Sequence, residues 1–375
     1  MKIGFDGKRA ANNLTGLGNY SRSLITHLAE FFPQNQYFVY TPKVKEHAQI
    51  SRFLQIKGIK IALPDTPGWF WRTSGIKKQL LKDQIELFHG LSHEIPLGIQ
   101  HSGIRSVVTI HDLIFLRFPQ YFGRIDRFIY ELKFRYACKH ADKVVAISEC
   151  TKRDLVHFFQ TDPDKIEVVY QSCDDSFKST ADEKKKQEVR TKHQLPEKYI
   201  LNVGTIETRK NLLTLIKALP EINPEYQLVV VGKKTAYTEL VNKEIDLLGL
   251  RSKVTFLQNV PFDELPSVYQ LASAFVYPSL YEGFGIPIIE AMYSGVPVIA
   301  ATGSCLEEAG GEHSLYVSPF DHKALSLSIN KVLNTPTLAT AMKAKGLEYV
   351  KKFDTRVLTE EMIEIYTRVL SNHQK

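Results

Sequence analysis

Two glutamates, Glu282 and Glu290, bracket the run Gly283-Phe284-Gly285-Ile286-Pro287-Ile288-Ile289. An apolar strand ends at Pro278, a loop with two glycines follows, Pro287 suits the first turn of a helix, and Gly295 suits its end. Backbone amides of Gly283, Phe284, Gly285 and Ile286 then lie at a helix N-terminus, where the dipole favours an anion such as a phosphate or diphosphate. Acids beside such a site do not bind phosphate; carboxylates accept from vicinal hydroxyls, so ribose and sugar hydroxyls are their natural ligands. The plainer alternative is that Glu290, read as first-turn, only complements the dipole and Glu282 is solvated.

A second segment, Asn202-Val203-Gly204-Thr205-Ile206-Glu207-Thr208-Arg209-Lys210-Asn211, follows an apolar strand and precedes a helical run at Leu212–Leu219. Arg209 and Lys210 at a strand's carboxyl end can neutralise a diphosphate leaving group. Gly16-Leu17-Gly18 opens a helix after the first strand. It lacks the third glycine of a dinucleotide fingerprint and reads as a close-approach loop for phosphate or sugar. His111, with Asp112, sits just past the strand Ser106–Ile110 and is placed to hydrogen-bond a substrate, although a lone histidine is more often structural. Asp162-Pro163-Asp164 resembles a metal-binding pair but reads as a turn, and His89 and His93 have no further ligands nearby in sequence; no metal site is expected.

These loops need strands to present them. Apolar runs at Lys2–Phe5, Tyr37–Tyr40, Ile59–Leu63, Leu87–His89, Ser106–Ile110, Lys143–Ile147 and Ile166–Tyr170 alternate with helical patterns. They resume at Tyr199–Val203, Gln227–Val231, Val254–Leu257, Ala274–Tyr277 and Pro297–Ala300. Near-continuous apolarity, as in Leu228-Val229-Val230-Val231, marks strands covered on both faces and hence parallel α/β sheets. The polar stretch Asp174–Gln194 is the candidate linker, leaving two doubly wound Rossmann-like domains facing a cleft. The closing segment Thr355–Leu370 is helical with no strand after it.

The chain has 375 residues, enough for two domains. No apolar run approaches the roughly 18 residues that span a bilayer, and Asp6 interrupts the N-terminal run that a signal peptide requires. The four cysteines form no metal or redox motif, so the reading is a reduced cytoplasmic protein. The net charge of +7 lies entirely in residues 1–180, where Lys and Arg outnumber Asp and Glu by 25 to 18 against 23 to 23 in the remainder. Such a half favours an anionic partner. In Tyr121–His140, Ile125, Phe128, Ile129, Leu132 and Tyr136 form an apolar stripe amid Arg124, Arg127, Lys133, Arg135 and Lys139. The favoured reading packs that stripe into the core; the other docks it on an anionic membrane or acidic acceptor.

Taken in order, these segments resemble the retaining, GT-B-fold glycosyltransferases of family 4, also called group 1. Glu282 through Glu290 looks like the family's Glu-x7-Glu motif with its Gly-Phe-Gly loop. Val203–Asn211 and Ala141–Thr151 look like two further signatures, and Gly16-Leu17-Gly18 and His111-Asp112 fall in the family's order. The resemblance implies an N-terminal acceptor-side domain at 1–178, on which a helix at 356–375 packs back, and a C-terminal nucleotide-sugar domain at 190–355. It implies that Glu290 holds the ribose, Glu282 the donor sugar, and Arg209 and Lys210 the diphosphate. Gly16, Gly18 and Gly204 would give close approach, Phe284, Gly285 and Ile286 backbone amides, and His111 a contact to the transferred sugar. The catalytic set is then His111, Glu282, Arg209 and Lys210.

The implied donor is a GDP- or UDP-linked hexose, mannose favoured, with no metal or other cofactor. The implied acceptor is a saccharide or lipid-linked saccharide in cell-surface polysaccharide synthesis. Peripheral contact with the inner face of an anionic membrane is allowed; nucleic acid is not expected. Two departures stand out: Thr208 where many relatives have proline, and Ser304-Cys305-Leu306-Glu307-Glu308 in place of a commoner Ser-Ser-Leu-Pro-Glu. An oxidoreductase would need a tighter glycine turn and an acid after the second strand, where Thr41-Pro42-Lys43 stands instead. A non-catalytic nucleotide- or polyanion-binding protein remains the alternative.

Overall fold

The computed structural model describes residues 1–65, 68 and 71–371. Residues 372–375 of the expected terminal helix lie outside the described residues. The chain divides into two compact units, one formed by Met1–Gln171 with Phe353–Lys375 and the other by Ser172–Lys352.

The first unit is built on β1 (Lys2–Asp6), β2 (Gln36–Tyr40), β3 (Ile59–Ala62), β4 (Leu87–Gly90), β5 (Arg105–Ile110), β6 (Lys143–Ala146) and β7 (Ile166–Val168). They form one seven-stranded sheet in the order β3-β2-β1-β4-β5-β6-β7, and every pairing is parallel. β4 and nearly all of β1 and β5 are buried along their length, which accounts for the unbroken apolarity of those runs. The Thr355–Ser371 helix belongs to this unit and packs on the Gly16–Phe31 helix. Its Tyr366 hydroxyl meets His89 Nδ1 at 2.6 Å in the buried interior.

The second unit holds β8 (Tyr199–Val203), β9 (Gln227–Val231), β10 (Val254–Leu257), β11 (Ala274–Tyr277), β12 (Val298–Ala301) and β13 (Leu315–Val317). Their order is β10-β9-β8-β11-β12-β13, again parallel throughout. β13 has no counterpart among the sequence-predicted strands, because it is a three-residue edge strand with only Val317 buried and gives no periodic signal. The polar stretch is also more than a linker. Its Glu183–Lys192 helix, capped by Asp182, packs on the Leu265–Gln270 helix and is part of the second unit.

Both sheets reverse their winding once, between β1 and β4 and between β8 and β11. Loops leaving the carboxyl ends of those neighbouring strands are where open α/β sheets hold ligands.

The Arg124–His140 helix corrects the favoured sequence reading. Its buried residues are Phe134, Ala137 and Cys138, on the face opposite the predicted stripe. Ile125 (77% exposed), Phe128 (63%), Ile129 (41%) and Leu132 (54%) face solvent. A stripe at helical spacing shows that one face is apolar but not which face meets the core. The buried side combines one large residue, Phe134, stacked on His93, with the small Ala137 and Cys138.

Candidate active site

In the second unit the two charged segments meet, since β8 and β11 are adjacent strands. The loop after β8 supplies Arg209 and Lys210; the loop after β11 supplies Glu282. Lys210 Nζ lies 2.6 Å from Glu282 Oε1, and the Arg209 guanidinium lies 2.7 Å from Oε2. Arg209 also reaches Glu207 at 2.7 Å and donates to the Tyr281 carbonyl. The Ser279 hydroxyl donates to Glu282 at 2.6 Å, and the Tyr277 hydroxyl accepts from Lys210 at 2.6 Å.

Burial pushes the Glu282 carboxyl up, but the Lys210 and Arg209 charges and the hydrogen bonds from Lys210 and Ser279 outweigh it and hold it down at about 2. Burial likewise opposes the Arg209 charge, and Glu282 and then Glu207 more than restore it, leaving its pKa raised. The site is therefore two fixed cations held in position by a fixed anion. Tyr277 and Ser279 were not singled out in the sequence. Each ends or follows a buried strand and differs from a core residue only by its hydroxyl, so no local pattern marks it.

The Ile286–Tyr293 helix starts as Pro287 and Gly285 predict. Gly285 adopts φ +137°, a conformation other residues rarely reach, and a Cβ there would press on Leu306 and Ala309 at 3.2 Å. The loop before it is pinned by Cys305, whose thiol lies 2.6 Å from the Phe284 carbonyl. The unusual cysteine is thus a buried clamp on the glycine loop. Glu290 lies one residue beyond the first turn rather than in it. Its carboxylate accepts from the Tyr269 hydroxyl at 2.8 Å. Burial raises that carboxyl to about 7, with Asp174 adding to the rise and the Tyr269 bond opposing it.

On the β8 side, Gly204 has φ +150°, and its carbonyl would lie 1.9 Å from a Cβ on Gly232, so this pair lets two loops touch. Asn211, at φ +56°, ties the same loop to the Pro278 and Pro319 carbonyls through its amide.

In the first unit the two glycines of Gly16-Leu17-Gly18 separate in role. A Cβ on Gly18 would lie 1.9 Å from the Asn13 carbonyl oxygen, so Gly18 serves close packing of the helix on its own lead-in loop. A Cβ on Gly16 meets nothing within 4 Å. Buried Arg22 fixes that lead-in by donating to the Ala10 and Asn13 carbonyls.

His111 is buried, with Nε2 2.9 Å from the Leu91 carbonyl and Nδ1 3.1 Å from the Gln171 amide nitrogen. Both ring nitrogens are engaged, so the sugar contact expected of His111 requires Gln171 to give way. Asp112 Oδ1 accepts from the Ile114 amide and so caps the next turn. His93, read as isolated, packs its ring 5.1 Å from that of His111 and stacks on Phe134 at 4.2 Å. Burial keeps these imidazoles neutral, lowering His89 to about 3 and His111 to about 4. Asp162 caps the turn at Pro163–Lys165, as read.

Comparison with known proteins identifies the family and the architecture. Residues 183–349 match the model for glycosyl transferases group 1, and residues 14–177 match that for glycosyltransferase family 4. The chain is 29% identical to O-antigen chain mannosyltransferase B of Escherichia coli over 98% of this chain and 99% of that one. It is 33% identical to O-antigen chain mannosyltransferase RfbU of Salmonella typhimurium over 70% of this chain and 68% of that one. The fold matches that of HepE from Anabaena, solved with UDP and glucose, with a TM-score of 0.76 and 17% identity over 98% of this chain and all of that one. With two parallel sheets wound as in GT-B enzymes and signature segments in both units, the chain belongs to the group 1, family 4 glycosyltransferases.

Proposed function

We propose that the protein transfers a hexose, mannose favoured, from a nucleotide-diphosphate sugar to a saccharide or lipid-linked saccharide acceptor in cell-surface polysaccharide synthesis. The observation that carries this reading is the Arg209–Lys210–Glu282 cluster at the reversal point of the second sheet. Two cations fixed before substrate arrives suit a diphosphate whose negative charge grows as its bond to the sugar breaks. Glu290, beyond the glycine loop, is assigned to the ribose hydroxyls, and Glu282 to the sugar. The names of the O-antigen mannosyltransferase relatives favour mannose and hence a GDP donor; the UDP in HepE keeps a UDP-hexose as the second reading.

Retention of configuration follows from front-face displacement. The bond from the sugar's anomeric carbon to the phosphate oxygen breaks, and the bond to the acceptor oxygen forms on the same face. The acceptor's proton passes to the departing phosphate. No side chain acts as nucleophile, and the charge this step needs is supplied by Arg209 and Lys210. On this reading the basic first unit serves the acceptor.

Thermal shifts with GDP, UDP and ADP test the donor, because a ligand that binds only the native state raises the melting point. GDP should give the largest shift, and GDP-mannose should turn over with an α-linked product visible by NMR. Equal, negligible shifts for all three, or an inverted product, would overturn the assignment.

A further inference from the structure

The loop leaving β4 is folded around one side chain, His93. A Cβ on Gly90 would lie 2.0 Å from the Glu94 carbonyl oxygen, so the loop curls back on its own start. Two ties hold the curl to β5 and its exit: the His93 amide donates to the Thr109 carbonyl at 3.0 Å, and the Leu91 carbonyl lies 2.9 Å from His111 Nε2. Glu94, next in line, is fixed by Arg72 at 2.9 Å and Lys133 at 3.2 Å. Within this curl His93 adopts φ +68°, a left-handed conformation that residues other than glycine rarely reach. The turn alone would be served better by glycine. Backbone strain of this kind collects at functional sites, where the conformation exists to aim a side chain.

The ring is held as firmly as the backbone. It lies nearly parallel to Phe134, at 9°, and meets His111 edge-on. The backbone amide of His111 lies 3.3 Å from its Nδ1. An amide N–H only donates, so Nδ1 accepts and the proton of the neutral ring sits on Nε2. Burial keeps the ring neutral by holding its pKa well below the ordinary value, and the His111, Arg9 and Arg72 charges add to the fall. Among the described residues, His93 Nε2 has no hydrogen-bond partner. The residue is half-buried, and β4 flanks the reversal point of the first sheet, where open α/β sheets hold ligands. His111 has both ring nitrogens engaged, so the open N–H of this histidine pair belongs to His93.

We propose that His93 is a substrate-contacting residue of the transfer reaction, donating its Nε2–H to a sugar hydroxyl oxygen. The inference rests on the glycosyltransferase reading and deepens it. A neutral donor fixed before substrate arrives orients an uncharged hydroxyl without the cost of ordering a flexible side chain. The hydroxyl belongs either to the transferred sugar or to the acceptor, and the two sources separate in the assay.

The test is His93→Gly in the full chain, because glycine suits φ +68° and removes only the imidazole. The donor is GDP-mannose or UDP-glucose, whichever nucleotide gives the larger melting shift, and octyl α-mannoside is the acceptor probe. The variant should keep the nucleotide-induced melting shift and melt within a few degrees of wild type, yet lose at least about tenfold in kcat/KM. Added imidazole, which can refill the gap against Phe134, should restore part of the rate. His93→Gln, whose amide can donate from about the place of Nε2, should retain more activity than His93→Gly. Slowed transfer with unchanged donor hydrolysis assigns the hydroxyl to the acceptor; slowing of both assigns it to the transferred sugar. Wild-type rates of both in His93→Gly would overturn the proposal. So would a loss that imidazole does not relieve and that His93→Gln shares in full, since His93 would then serve packing alone. A wild-type protein with no nucleotide-induced shift and no turnover of either donor would instead sink the glycosyltransferase reading itself.

Discussion

Glu282→Gln removes one negative charge and almost no volume from the cluster, which makes its consequences calculable. The Glu282 carboxyl sits at about 2 in the native protein against an ordinary value of 4.5. The difference is the excess of attraction to Lys210 and Arg209 over the cost of burial, worth roughly 3 kcal/mol of native-state stability at neutral pH. Because the folded value is the lower one, this stabilisation is complete above 4.5 and disappears as the pH falls toward 2. Glutamine cannot carry the charge, so the variant should lose roughly 3 kcal/mol near neutrality and progressively less in acid.

Among the described residues, the same substitution leaves Arg209 with Glu207 as its acidic partner and Lys210 with none. A nucleoside diphosphate should therefore bind at least as well as to the wild type. Turnover should still fall by about a hundredfold or more, because the cations are no longer held where the leaving group develops charge. Lys210→Ala gives the opposite pattern, with nucleotide binding and turnover lost together. Urea unfolding followed by circular dichroism from about pH 7 to about pH 3 reads the stability arm. Isothermal titration with GDP and UDP reads the binding arm. A stability loss under about 0.5 kcal/mol at neutral pH, or curves that stay parallel into acid, would refute the claim that these cations hold this carboxylate.

Glu290 should impose a pH dependence of the other sign. Its folded value of about 7 lies above the ordinary 4.5, so its contribution to stability should fall as pH rises between those values. Nucleotide affinity should rise over the same window, since only the ionised form accepts from both ribose hydroxyls. Glu290→Gln should flatten that rise in a titration with GDP or UDP. The two loop glycines should part company: Gly18→Ala should destabilise the protein severely by driving a methyl into the Asn13 carbonyl, whereas Gly16→Ala should melt within a few degrees of wild type and lose activity only if substrate approaches there. Differential scanning fluorimetry beside a transfer assay separates these outcomes.

What could be read without coordinates follows from the range of the interactions involved. Buried parallel strands carry their signal in consecutive residues, so the strands β1–β12 were legible and only the three-residue edge strand β13 escaped. The glycine loop and the Arg209-Lys210 pair were legible for the same reason: strand ends and helix starts are local. Contacts across the sheet were not. Nothing near Tyr277 or Ser279 announces that their hydroxyls converge on Lys210 and Glu282, and nothing near Gln171 announces that it occupies His111. The orientation of the Arg124–His140 helix failed for a related reason. Which face of an amphipathic helix is buried depends on what else the fold has left to cover.

The bond between His89 and Tyr366 joins the fourth strand of the first sheet to the last helix of the chain. During synthesis the first unit therefore emerges from the ribosome without one of its walls, and must wait for the entire second unit to be translated before Tyr366 arrives. The second unit, contiguous from Ser172 to Lys352, faces no such delay and can fold while the first is still open. A chain without the Thr355–Ser371 helix would thus keep the second unit whole while the first exposes the buried His89 and its apolar surroundings.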